Sequence, residues 1–147
     1  MPVVFSRACE YALRALFEMA RHPEQESWTV QELAARTDTP APFLAKTFQA
    51  LVKGRILSSY KGRKGGFTFA RGPNRVYLLD IVNIIDGPAL ETDCALGMPS
   101  CSDLSPCPFH QHWKDIRKNI IAALREETLA TSATAKGVRK LGKSGSS

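Results

Sequence analysis

The chain has 147 residues, 44% of them hydrophobic and 23% charged, with a formal net charge of +6. This is the make-up of one ordinary globular domain, with or without an extended arm, and it excludes the disordered and low-complexity classes. No run approaches the roughly 18 apolar residues of a membrane span, and Arg7, Glu10, Arg14 and Glu18 break up the first apolar stretch in a way a signal peptide does not. The expectation is a cytoplasmic protein with reduced thiols and no membrane partner.

In chain order, apolar residues at Ala8, Tyr11, Ala12, Ala15, Leu16, Met19 and Ala20 recur at spacings of three and four, which predicts an amphipathic helix from about Ser6 to His22, closed by Pro23. Thr29 followed by Glu32 is a capping-box pattern and opens a short helix through Val30, Leu33 and Ala34 to about Thr37. Thr39 as N-cap and Pro40 in the first turn start a third helix, which is expected to turn Phe43, Leu44, Phe48, Leu51 and Val52 inward and to stop at Gly54. Two helices joined by a tight turn form a helix-turn-helix candidate.

Next, Ile56–Tyr60 and Phe67–Ala70 read as two strands, with Lys61-Gly62-Arg63-Lys64-Gly65-Gly66 as the hairpin tip between them. A glycine-rich, cation-loaded tip directly after a helix-turn-helix is a β-wing. From Lys53 to Arg75 there are seven basic residues and no acidic one, the electrostatic footprint of a polyanion partner. Phosphate neutralisation with counterion release supplies affinity to such a surface. Base-reading candidates on the third helix are Thr39, Pro42, Lys46 and Thr47, with Gln49 toward its side; Lys61, Arg63 and Lys64 are placed to hold phosphates or a minor groove.

A fourth helix is expected over Leu78–Asp86, ending at Gly87-Pro88, followed by a loop of about twenty residues. A long helix then runs from about Phe109 to Leu129, with Trp113, Ile116, Ile120, Ala123 and Leu124 as an apolar seam. At 1.5 Å per residue it is roughly 30 Å long, more than a small core needs, and it suits pairing with a second copy. Residues 131–147 hold four basic residues, no acidic ones and few apolar ones, and are read as a disordered basic tail.

Four cysteines occur. Cys9 lies on the apolar face of the first helix and is read as a packed residue. Cys94, Cys101 and Cys107 share the long loop, with six residues between the first two and five between the last two, and His110 lies three positions after Cys107. Three thiolates from one loop beside a helix start suggest a metal or cluster site. His110 is the nearest fourth ligand in sequence, and Glu10 and Cys9 compete with it if the first helix of a partner subunit lies over the loop. A structural zinc site usually draws on closer cysteine pairs. No phosphate-binding glycine loop, paired carboxylates or nucleophile–base pair is visible, so an enzyme is not expected.

The order of these features resembles the IscR and NsrR type of winged-helix transcriptional regulator, the Rrf2 family. The match is carried by Glu10-Tyr11-Ala12-Leu13-Arg14, by Gly62-Arg63-Lys64-Gly65-Gly66-Phe67, by Leu79-Asp80-Ile81-Val82 with Asp86-Gly87, and by the three loop cysteines, over about residues 2–130. The resemblance implies a mainly α fold with a small β-hairpin: a winged helix-turn-helix domain (1–87), a cluster loop (88–108), a dimerisation helix (109–130) and the tail (131–147). It implies a homodimer on a palindromic double-stranded DNA operator. It also implies an iron–sulfur cluster held by Cys94, Cys101 and Cys107, whose state controls DNA affinity. His110 falls where a histidine ligates a 2Fe–2S cluster, the favoured type, and Glu10 where nitric-oxide-sensing members supply a carboxylate, so 4Fe–4S stays open. The rival readings are a thiol- or zinc-based DNA regulator, and a small electron-transfer or cluster-carrier protein, which has no use for a basic wing.

Overall fold

Helix α1 (Arg7–Arg21) is the post around which the other elements pack. The structure is a computed structural model describing residues 4–63, 65–99 and 101–134. Ser6 caps α1, its hydroxyl accepting from the Cys9 N–H at 3.1 Å. Around the helix Cys9, Ala12, Leu13, Ala15, Leu16 and Met19 are all buried, so α1 is covered over most of its girth. Its small residues let α2 (Val30–Thr37), α3 (Ala41–Lys53) and α4 (Leu78–Asp86) approach it together.

One charge lies in this packing. Glu18 is 1% exposed and bonded by Arg36 of α2 at 2.9 Å, with His22 at 3.3 Å and Arg21 at 3.8 Å. The pair ties α1 to α2 directly, and Arg36 also stacks over buried Trp28, 5.0 Å from the ring centre.

The helix-turn-helix forms as expected, with two local corrections. Thr29 caps α2 by accepting from the Glu32 N–H, but the Glu32 carboxylate accepts from Gln25 rather than completing the box. Thr39 does not cap α3: Pro40 takes that position, and the Thr39 hydroxyl is bonded to Thr37, whose own hydroxyl is within reach of the Leu33 carbonyl. Leu44, Phe48 and Leu51 are buried as predicted, whereas Phe43 is 45% exposed and rests edge-on against Tyr11. Phe43 sits at the margin of the buried stripe, so helical rotation turns it toward α1 and solvent. Gly54 ends α3 without a left-handed twist; a Cβ there would lie 2.4 Å from Ile84 of α4, so the small residue serves the close helix approach.

Strands β1 (Leu57–Tyr60) and β2 (Gly66–Phe69) pair antiparallel, Leu57 opposite Phe69 and Tyr60 opposite Gly66. The wing is fastened by Trp28, which exchanges two backbone hydrogen bonds with Phe67, and by Phe67 packing edge-on against Phe48. Gly66 has φ 150°, and a Cβ there would come within 2.4 Å of the Trp28 carbonyl. No side chain larger than hydrogen fits between the wing and the segment before α2.

A 3-10 turn over Pro73–Arg75 leads into α4, whose bounds match the expectation. The following stretch is not all loop: Ala89–Thr92 forms α5, seated by buried Leu90. The long helix also differs. Helix α6 covers His110–Glu126, and a separate α7 covers Leu129–Thr134. The break has a backbone cause: Leu78 N–H donates to the Glu127 carbonyl and Leu129 N–H to the Val76 carbonyl, an antiparallel bridge no continuous helix could make. Thr128 then caps α7, accepting from the Thr131 N–H. Helix α7 packs back on α1, so the first residues assigned to a disordered tail are helical, and 135–147 lie outside the described residues. Of the seam, Leu124 is buried and Trp113 and Ile120 are half-buried, while Ile116 and Ala123 face solvent. Among the described residues no helix is long and apolar enough to cross a membrane.

Leu129 is fully buried in this return contact. Leu129→Ala is therefore expected to lower unfolding stability by about 2–5 kcal/mol, read from the urea midpoint. An unchanged midpoint would show that α7 is not docked on α1.

Candidate functional site

Two surfaces carry the chemistry. The first is the outer face of α3 with the wing. Pro42, Lys46, Gln49 and Lys53 are exposed and fall three or four residues apart on one stripe, opposite buried Leu44, Phe48 and Leu51. Gln49 therefore stands on the outer face rather than to its side. Thr47 and Thr39 do not join it. Thr47 is 6% exposed with its hydroxyl on the Leu44 carbonyl, and Thr39 is 7% exposed and turned to Thr37. Both satisfy their hydrogen bonds internally. Lys61 and Arg63 are exposed at the wing tip, and Lys64 lies outside the described residues. A groove between α3 and the wing is walled by Pro42, Ala45 and Gln49 on one side and Ser59, Tyr60 and Gly62 on the other. A donor and acceptor array beside two exposed cations suits base edges and phosphates.

The second surface is the thiol loop between α5 and α6. The sulfurs of Cys94, Cys101 and Cys107 lie within 4.8 Å of one another, with Cys94 and Cys107 3.5 Å apart. The gap between Cys101 and Cys107 closes because Ser102 and Ser105 exchange backbone hydrogen bonds, a tight reversal that returns the chain to its start. Two sulfurs accept backbone N–H groups, Cys94 from Leu96 and Cys101 from Cys107, each at 3.4 Å.

The surroundings shift three of the thiols differently. Cys94 is pulled down to about 7, first by the Met98 backbone N–H and then by that of Leu96. Burial pushes the Cys107 thiol up. Cys9 is fully buried, and burial, helped by the carboxylates of Asp86 and Glu10, pushes it up to about 12. It is the packed residue expected from sequence. Glu10 stays in the first turn of α1 and is not gathered with the loop thiols within one chain.

His110 is the first residue of α6, with Nδ1 3.1 Å from the Cys101 sulfur. Its Nε2 lies 2.8 Å from Asp103 Oδ1, and Lys114, one turn along α6, reaches the same oxygen at 3.1 Å. The His110 contact, then Lys114, holds the Asp103 carboxyl below its usual range. Sequence reading missed Asp103 and Lys114, because a loop has no period from which to infer what its tip touches. It also saw no nucleophile–base pair, yet Cys101, His110 and Asp103 stand in line as thiol, imidazole and carboxylate. With two more thiols alongside and Asp103 70% exposed, this is a soft donor set rather than a closed cleft. Three sulfurs, two of them accepting N–H groups, with an imidazole beside them, fit an iron–sulfur cluster and equally a zinc ion.

A family model described as "Rrf2: Iron-dependent Transcriptional regulator" matches residues 5–134. A candidate HTH-type transcriptional regulator of Aquifex aeolicus is 34% identical over 121 residues, covering 80% of this chain and 83% of that one. The structure of CymR, the global cysteine regulator of B. subtilis, superposes with a TM-score of 0.72 at 19% identity, covering 88% of this chain and 95% of that one. IscR of T. potens superposes with a TM-score of 0.68 at 23% identity, covering 86% and 83%.

Only the thiolate attacks an alkylating reagent, so a thiol at about 7 reacts near neutral pH, where an ordinary one at about 8.5 is mostly protonated. In reduced, metal-free protein, mass mapping of iodoacetamide adducts is expected to find Cys94 labelled first, at a rate rising with pH and levelling above neutrality. Cys9 is expected to stay unlabelled until the fold is opened with denaturant. Early labelling of Cys9 would contradict its burial.

Proposed function

Because the chain belongs to the Rrf2 family of transcriptional regulators, we propose that it binds double-stranded operator DNA as a homodimer, with an iron–sulfur cluster on the thiol loop setting its affinity. The observation that carries this reading is the convergence of three cysteine sulfurs on the segment directly after a winged helix-turn-helix.

On DNA, Pro42, Lys46 and Gln49 meet base edges in the major groove, and Lys61, Arg63 and Lys64 meet phosphates or the minor groove beside it. The uncovered side of α6, with Ile116 and Ala123, supplies the seam to a second copy. A two-fold dimer then favours a palindromic operator.

Cys94, Cys101 and Cys107 hold the cluster through sulfur. The position of His110 beside Cys101 supports it as the fourth ligand and favours 2Fe–2S, whereas Glu10 would have to come from the second copy, with 4Fe–4S as the outcome. A bound cluster supplies one-electron redox chemistry and reactivity toward oxidants or nitric oxide. The chain's own part is mechanical. The short α5 leads from the end of α4, where Asp86 is bonded to the α1 cap Ser6, into the loop, which then enters α6, the seam helix. A change in loop packing therefore bears on both the reading head and the dimer contact.

A second reading rests on the 3.5 Å contact of Cys94 with Cys107: without iron, a disulfide between them or a zinc ion on all three thiols would be the switch. Anaerobic purification followed by native mass spectrometry and iron and sulfide counts decides between the two. Iron with matching sulfide and a visible chromophore supports the cluster, and zinc or bare thiols after reconstitution supports the second reading. Operator affinity is expected to differ between loaded and cluster-free protein, and equal affinities would remove the cluster as the switch.

Lys61→Ala and Arg63→Ala are expected to weaken binding to all DNA sequences alike and to lower the salt slope by about 1 each, measured by fluorescence anisotropy across a salt series. Gln49→Ala is expected to relax sequence preference by about 1–3 kcal/mol at the base pair it reads and to leave the salt slope unchanged.

A further inference from the structure

We propose that Asp103 is the positioning residue of the thiol site, holding the His110 ring so that Nδ1 faces the cysteine sulfurs. This deepens the reading of the thiol loop as a ligand set and rests on His110 belonging to it.

The geometry is specific at both ring nitrogens. Nε2 meets Asp103 Oδ1 at 2.8 Å, so the proton of a neutral ring is held there, and Nδ1, 3.1 Å from the Cys101 sulfur, is left with its lone pair toward the thiols. Which nitrogen of a histidine can ligate is set by what the other one bonds. Asp103 is itself held. Lys114 reaches both carboxylate oxygens, at 3.1 and 3.3 Å, and sits four residues after His110, so one turn of α6 presents imidazole and ammonium to one carboxylate. Asp103 is carried on the Ser102–Ser105 reversal, the turn that also returns Cys107 to Cys101. Closing the loop therefore brings in the third thiol and delivers the acceptor that orients the imidazole. His110 is 14% exposed against 70% for Asp103, so the ring is shielded while the carboxylate lies at the rim.

The test has two readouts, one of which needs no cluster. In reduced, cluster-free protein at mildly alkaline pH, long-range proton–nitrogen NMR of the three histidines, with His110→Gln for assignment, reports the ring tautomer. Wild type is expected to show a single Nε2–H form for His110. Asp103→Ala is expected to give a tautomer mixture, and Asp103→Asn, whose amide oxygen still accepts, to keep the wild-type form. An unchanged His110 signal in Asp103→Ala overturns the proposal. After reconstitution with iron and sulfide, Asp103→Ala is expected to lose iron to a chelator about 10–100-fold more readily than wild type, with an unchanged thermal midpoint. Equal retention in both also overturns it. If no variant, wild type included, assembles iron and sulfide, the cluster reading has failed, and the tautomer spectra alone decide the role of Asp103.

Discussion

One carboxylate fixes the relation between the two working halves of the molecule. Asp86, the last residue of α4, accepts from both the backbone N–H and the hydroxyl of Ser6, and Ser6 in turn caps α1. Three orphan polar groups are satisfied at once: the amide and hydroxyl before α1, and the charge at the end of α4, where the helix dipole disfavours an anion. The chain runs from this bond through the short α5 into the thiol loop, so the approach to that loop starts at the N-terminal end of the central helix. Buried Cys9 sits one turn into α1 from the same bond, and burial with the nearby Asp86 and Glu10 carboxylates makes its thiol a weaker acid.

The loop shows how little sequence spacing says about convergence. Gaps of six and five residues look too wide for a compact donor set, yet paired backbone hydrogen bonds fold the second gap into a reversal, and N–H groups from Leu96 and Cys107 point at sulfur. At Cys94 the N–H groups favour the thiolate, which is the form that binds metal. Identical side chains thus serve opposite ends: the cysteine on α1 is packed away in the core, and those in the loop are gathered within 4.8 Å of one another.

The outer face of α3 and the wing depend on a similar economy of contacts. Trp28 joins the segment before α2 to the wing through backbone bonds with Phe67, and Phe67 rests on Phe48 of α3. The hairpin is therefore held to α3 from behind, with Lys61 and Arg63 exposed at its tip. Buried Glu18, bonded by the more exposed Arg36, holds α2 against α1, so both helices of the helix-turn-helix are set by one core.

The sequence by itself determined the element order, the helix-turn-helix with its basic wing, the bounds of α4 and the burial of Cys9, because these follow from local periodicity, caps and charge. It also pointed to the three loop cysteines as a set. Tertiary structure alone decided what depends on how the chain closes and packs. The bridge of Val76 and Leu78 to Glu127 and Leu129 broke the last helix in two, and Thr39 and Thr47 turned inward to nearby backbone and hydroxyl groups. Gln49 came out onto the reading face, and Asp103 was brought to His110. Periodicity states which face of a helix is apolar, but only packing fixes how that face is rotated, and a loop tip has no face at all until the chain closes on it.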